Sequence, residues 1–396
     1  MPRIIKVRPV LLSAPYADPE FNLEVLLHLP SGLRTTGLVE ITLDDGVSGL
    51  GEGYLAVFAP EVFRTMVELV APYLIGRDPR QLTELVRDAA IITGYWSFQG
   101  AARHVVSAIE IALQDCCGKL LGLPVWRMLG GTSPKLKLYA SGGDSRCPEA
   151  MQGEIAQVAA LGIRVFKIRA RNHQVDKALW CQRAAAARGI EIAVDMTQNL
   201  AIPSQTPEAA AAFVTELRER SGSAPAFLEE ALGPDRIGEL PELRRAGVCP
   251  IAGGEIVTTP DELNARIAQG CYDIAQPDAS VIGGIGAVLA VSAFARGRDT
   301  AVYVHSWGGA VSLLANYHAA AAAGEETAEW PLPQYPLRQR LMAEPWGLRD
   351  GGLQLAEVPG IGAVLTPELE REFPFRPEAV YRCLPDVSRV PAADWS

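Results

Sequence analysis

From about residue 135 onward, short apolar runs alternate with longer amphipathic windows, and most of the runs close on a polar side chain. The runs occupy 136–140, 165–169, 190–195, 227–230, 251–255, 274–278 and 301–305, with a weaker eighth around Glu329 and Trp330. Most are continuously apolar, as expected of strands buried on both faces. Helical windows such as 148–161 and 260–269 lie between them, the latter opened by Thr259, Pro260 and Asp261 as an N-terminal signal. Lys167, Asp195, Glu229, Glu255, Asp278, His305 and Glu329 follow one another at intervals of 23 to 34 residues, about what one strand, one helix and two loops consume. The pattern predicts repeated β/α units in a closed barrel, with one polar group per strand end converging on a single mouth.

The first third has a different texture. Residues 24–29 and 38–43 read as strands joined by the turn Pro30-Ser31-Gly32, and Asp44-Asp45-Gly46 continues a hairpin pattern. Helical patterns follow over 60–74, with Val62, Met66, Val70 and Leu74 on one face, and over 101–121, stopped by glycine and proline. The expected division is an α+β domain over residues 1–133, the barrel over 134–352, and a proline-rich segment over 353–396 that returns to the first domain.

At 396 residues the chain suits a barrel of about 250 residues plus a smaller domain. A net charge of −10 and a pI near 5.2 argue against nucleic acid or an anionic membrane as partner. The apolar stretch at Val10 to Leu12 is too short for a secretory signal, and residues 309–324, which carry Ser312, Asn316 and His318, fall short of the roughly 20 needed to span a bilayer. Seven scattered cysteines without a CxxC pair point to a reduced, cytoplasmic chain.

Asp195, Glu229 and Glu255, on consecutive strand ends, offer the oxygen ligands that Mg2+ prefers, with room left for water and substrate. Lys167 and Arg169 stand two apart in one strand and leave on the same face. Phe166 and Ile168 suit the face that packs on the outer helices, so both cations point inward, where an anion such as a substrate carboxylate would relieve their repulsion. Asp278 and His305 close neighbouring strands. A carboxylate on one imidazole nitrogen fixes the tautomer and raises the basicity of the other, as a general base requires. His28, His104, His173 and His318 read as structural.

These segments, together with Ala108-Ile109-Glu110-Ile111-Ala112-Leu113, Leu228-Glu229-Glu230, Gly283-Gly284 and His305-Ser306-Trp307-Gly308, make the chain resemble the enolase superfamily, in its mandelate racemase subgroup, over nearly its whole length. The resemblance implies an α/β fold, a modified (β/α)8 TIM barrel with an N-terminal α+β capping domain. It also implies Mg2+ on Asp195, Glu229 and Glu255, and an Asp278–His305 acid/base dyad that removes the proton α to a carboxylate, a chemistry known for this superfamily. Glu329 matches the position of an electrophilic glutamic acid beside the substrate carboxylate, where burial near a metal-bound carboxylate would raise its pKa and leave it protonated. Ser141, Trp307, Thr197 and Tyr16, the last in a loop over 16–21 that covers substrate, are expected to line the substrate site.

Three departures stand out. Arg169 replaces the lysine often found there, and a guanidinium is a poor base, so Arg169 is expected to hold substrate. Thr197 stands where some acid-sugar dehydratases carry a second catalytic histidine, and Ala231 replaces a common proline. The leading expectation is a Mg2+-dependent dehydratase of a sugar acid, aldonate or aldarate, giving a 2-keto-3-deoxy acid. The alternatives are a sugar-lactone cycloisomerase, a racemase or epimerase, or a barrel that serves only as a scaffold. The expected partners are a small-molecule carboxylate and further copies of the chain.

Overall fold

The computed structural model describes residues 2–16, 27–145, 147–201, 203–383 and 395. An antiparallel sheet opens the chain, in the order Ile4–Pro15, Leu33–Leu43, Ser48–Glu52. The long strand Leu33–Leu43 pairs with Ile4–Pro15, Val10 opposite Leu38, so the expected hairpin between 24–29 and 38–43 is not formed. Leu27–His28 pairs instead with Arg382–Cys383 near the far end of the chain, and residues 24–26 lie outside the described residues. The first helix, Pro60–Val70, buries Pro60, Phe63, Val67 and Val70. Val70 and Leu74 are buried as expected, but Val62 is 46% exposed and Phe63 and Val67 take the inner face at the start of the helix, in one core with the sheet residues Val39 and Ile41.

The barrel strands are Lys135–Ser141, Val165–Arg169, Glu191–Asp195, Leu228–Glu229, Ile251–Gly253, Ile274–Ala275, Ala301–Val302 and Thr327–Pro331. Each pairs in parallel with its neighbour. The ring closes where Val304 bridges Ala328 and where Thr327–Pro331 lies beside Lys135–Ser141. Helices follow the first seven strands. After the eighth comes only a turn of helix, Leu337–Arg340, and a hairpin whose second arm, Gly352–Gln354, pairs with the first strand. Several strands are shorter than expected, so Glu255, Asp278 and His305 stand in the loops just beyond them.

Alternation within the strands builds the interior in layers. Tyr139, Ala193, Phe227, Ala252 and Ile274 form an apolar floor, in which Tyr139 packs edge-on to Phe227 at 5.5 Å. Two residues further along their strands stand Ser141, Asp195, Glu229 and Gln276. The polar mouth therefore rests on a packed apolar plug. Beyond the barrel the chain runs back over the first domain: Ser13 N–H donates to the Phe373 carbonyl at 3.2 Å, and Arg8 pairs with Glu370 at 2.7 Å.

Candidate active site

Lys167 is 1% exposed. Its ammonium sits between Glu229 and Glu329, 2.8 Å from Glu329 Oε1. Gln276 Nε2 donates to the other Glu229 oxygen. Burial opposes the charge on Lys167, but the two carboxylates outweigh it and raise its pKa well above the ordinary lysine value. Burial alone would raise Glu329 too. Lys167 and His305 reverse this and hold it down at about 2. Glu329 is here an ion-paired carboxylate of Lys167. Its Oε2 accepts from the Ser306 N–H at 2.8 Å.

Arg169 leaves the same face of its strand and lies over the Trp307 ring, 4.5 Å from its centre. Its Nε is 3.5 Å from Asp195 Oδ2, and its terminal nitrogen is 2.9 Å from Asp144. Asp195 Oδ1 accepts from the Thr197 N–H at 2.7 Å, and Thr197 itself has a positive φ of +48°. Glu255 accepts from Asn199 at 2.9 Å and stands 3.2 Å from His305 Nε2. Burial, followed by the neighbouring carboxylates, pushes Glu229 up to about 8 and raises Asp195, with Lys167 opposing in both cases.

The expected dyad is assembled. His305 Nδ1 lies 2.8 Å from Asp278 Oδ2, while Asp278 Oδ1 accepts from the Ser280 N–H, the Ser280 hydroxyl and Asn316 Nδ2 at 2.7 to 2.9 Å. Oδ1, so anchored, leaves Oδ2 to accept from the Nδ1–H and turns Nε2 toward Glu255. Burial would lower the histidine, but Glu255 and then Glu329 and Asp278 raise it to about 10.

Above this layer lies a cavity of about 270 Å3 whose lining includes Arg169, Asp195, Thr197, Glu255, His305 and Trp307 from the barrel. The capping domain contributes Tyr54, Phe58 and His104, and the returning chain contributes Tyr381. Tyr16 is not part of this wall. It is buried one ring back, 6.3 Å from Tyr381, with the Arg34 guanidinium 5.0 Å over its face, and the rest of the 16–21 loop lies outside the described residues. Ser141 is also buried beneath the cavity. His104, read as structural from sequence, is a wall residue: Asp278 favours its charge, but burial outweighs this and depresses the ring to about 4, so it is neutral. His318 does serve structure, accepting from the Trp126 N–H at 3.0 Å.

Among the described residues no three His, Cys, Asp or Glu side chains converge, as they stand, closely enough to ligate one ion. Asp195, Glu229 and Glu255 are each engaged instead by Arg169, Lys167 or His305. Their chemistry nevertheless suits a hard divalent cation, since all three are oxygen donors whose mutual repulsion such an ion would relieve. Gln276 on Glu229, Asn199 on Glu255, Asp144 on Arg169 and Asn316 on Asp278 carry no motif that would single them out in sequence.

A parallel barrel with buried acids, a buried lysine and a carboxylate-backed histidine at its C-terminal mouth, under an α+β cap, defines a class of enzyme-like (β/α) barrels. The chain belongs to the enolase superfamily, mandelate racemase and muconate lactonizing enzyme group: residues 150–369 match the family described as enolase C-terminal domain-like, and residues 32–130 match the mandelate racemase / muconate lactonizing enzyme N-terminal domain. It is 26% identical over 341 residues to an arabinonate dehydratase of Saccharolobus solfataricus, covering 84% of this chain and 89% of that one. Two solved structures share the fold. One is the 3,6-anhydro-D-galactonate cycloisomerase of Zobellia galactanivorans, at TM-score 0.80 and 24% identity over 94% of this chain and 99% of that one. The other is the L-talarate/galactarate dehydratase of Salmonella typhimurium liganded with Mg and L-lyxarohydroxamate, at TM-score 0.81 and 23% identity over 94% of this chain and 93% of that one.

Proposed function

We propose that this chain is a Mg2+-dependent sugar-acid dehydratase, converting an aldonate or aldarate to a 2-keto-3-deoxy acid and water. The observation that carries the reading is the Asp278–His305 dyad, whose Nε2 opens on a cavity shared with Asp195, Glu255 and Arg169. The similarity to a sugar-acid dehydratase over most of the chain supports it. Asp195, Glu229 and Glu255 would hold the cation, which supplies Lewis acidity toward the substrate carboxylate.

In this scheme Glu255, engaged by the cation, is withdrawn as the first of the anions that keep the imidazole charged; neutral His305 Nε2 then accepts the α-proton, the electron pair moves toward the carboxylate, and Lys167 faces the charge that develops there. The β-hydroxyl then departs with the proton His305 has taken, and the resulting enol becomes the keto acid as a proton returns to C3. Atoms balance as substrate to keto acid plus water. Arg169, Trp307 and His104 orient the polyol. Racemisation fits less well: Arg169, its charge further favoured by Asp144 and then Asp195, is no second base, and Lys167 is enclosed by two carboxylates. Cycloisomerisation of a sugar lactone would use the same His305 and Lys167, as the shared fold of the Zobellia enzyme allows. The test is a panel of aldonates and aldarates assayed for 2-keto acid. The reading expects one or more to react with Mg2+ present and none in EDTA, and keto-acid formation insensitive to chelation, or none from any acid, would refute it.

A further inference from the structure

Arg169 has two carboxylate partners, which meet different nitrogens of the one guanidinium. Asp144 Oδ2 is 2.9 Å from its terminal nitrogen, whereas Asp195 Oδ2 is 3.5 Å from Nε. The first is a charge-assisted hydrogen bond by distance and the second a looser electrostatic contact. Because Asp195 belongs to the cation-binding trio of the proposed function, the balance decides how much of its charge remains for a metal.

The sequence around Asp144 holds it rigidly. It sits in the loop after the first barrel strand, where the Gly143 N–H donates to Glu154 Oε2 at 2.7 Å and the Ser145 hydroxyl bonds the other oxygen of Glu154. Glu154 lies on the helix that follows, Pro148–Ala160. Gly143 has φ +75°, and a Cβ there would lie 2.5 Å from Ile168 Cα. Only glycine lets this loop close onto the strand that carries Arg169. Asp144 is itself fully buried, and among the described residues its Oδ1 has no hydrogen-bond partner. The Gly142 carbonyl, 3.2 Å from Arg169, and the Trp307 face complete the cradle.

We propose that Asp144 is a positioning residue that draws the Arg169 guanidinium off Asp195, keeping Asp195 available to the divalent cation while presenting Arg169 to substrate. The inference rests on the proposed metal site, and Mg2+ affinity by isothermal titration calorimetry tests it without need of a substrate. Four proteins are compared: wild type, Asp144→Asn, Arg169→Met and the double variant. Asp144→Asn should weaken Mg2+ binding about tenfold, because the freed guanidinium settles on Asp195. In the Arg169→Met background the same change should cost less than about twofold, since no guanidinium remains to be positioned. Asp144→Glu, which keeps the charge, should retain most of the affinity and guards against a simple folding defect. An equal loss in both backgrounds would mean that Asp144 acts only through its charge at a distance, and would overturn the inference. So would an unchanged Asp144→Asn. A wild type that binds no Mg2+ would instead remove the metal reading itself, and this inference with it.

Discussion

His305 should reveal its surroundings through the pH dependence of stability. In the metal-free protein its pKa is about 10, against an unperturbed value near 6.5. A group whose folded pKa is raised contributes stability that is fully present below its unfolded pKa and is lost as pH rises through the folded one, here across the window from about 6.5 to 10. A shift of that size, carried by one residue alone, would amount to roughly 5 kcal/mol at about 1.4 kcal/mol per unit. Glu255, Glu329 and Asp278 share the interaction and relax when it is lost, so about 2–3 kcal/mol is the expected measurable part. Urea unfolding in EDTA at pH 7 and pH 10 would measure it, comparing wild type with His305→Asn so that other lysine and tyrosine titrations cancel. The wild type should lose its advantage over the variant across this range. Parallel pH profiles for the two proteins would refute the assignment of charge at His305. Saturating Mg2+ should move the wild-type loss to lower pH, because an ion on Glu255 removes the first of the anions that raise the imidazole.

Alanine at Asp195, Glu229 or Glu255 should weaken Mg2+ binding by at least about tenfold and abolish turnover together, with the fold retained by circular dichroism; unchanged calorimetric titrations in all three would move the metal elsewhere. Arg169→Lys should keep part of the activity and Arg169→Met should raise KM as well as lower kcat, and a methionine variant with normal steady-state constants would remove Arg169 from substrate binding. Gly284→Ala should cost about 2–4 kcal/mol in denaturant unfolding, since φ is +104° there and a Cβ would collide with the Glu110 carboxylate that caps Ile285 and Gly286; wild-type stability would show that the contact is slack.

The barrel was readable because most strands carry their own apolar run and their own polar end, a local signal that repeats along the chain and weakens only at the eighth strand. The capping sheet was not, because Leu33–Leu43 takes its partner from the start of the chain and Leu27–His28 from its far end, and no local turn announces either pairing. Among site residues, Lys167, Asp278 and His305 could be placed together from strand order alone. The charge on Glu329 could not, because it depends on Lys167 lying 2.8 Å away rather than on burial. His104 was missed for a similar reason: a histidine in an amphipathic helix does not show in sequence that its helix roofs a cavity formed by other segments.

The most direct test of the account follows the α-proton itself. A panel of sugar acids in deuterated buffer with Mg2+, monitored by proton NMR, should show for the true substrate loss of the α-proton signal together with a 3-deoxy-2-keto product carrying one solvent deuterium at C3. His305→Asn should slow that conversion by at least about a hundredfold. Exchange at C2 that yields both epimers without any keto acid, or an undiminished rate in the His305 variant, would contradict it.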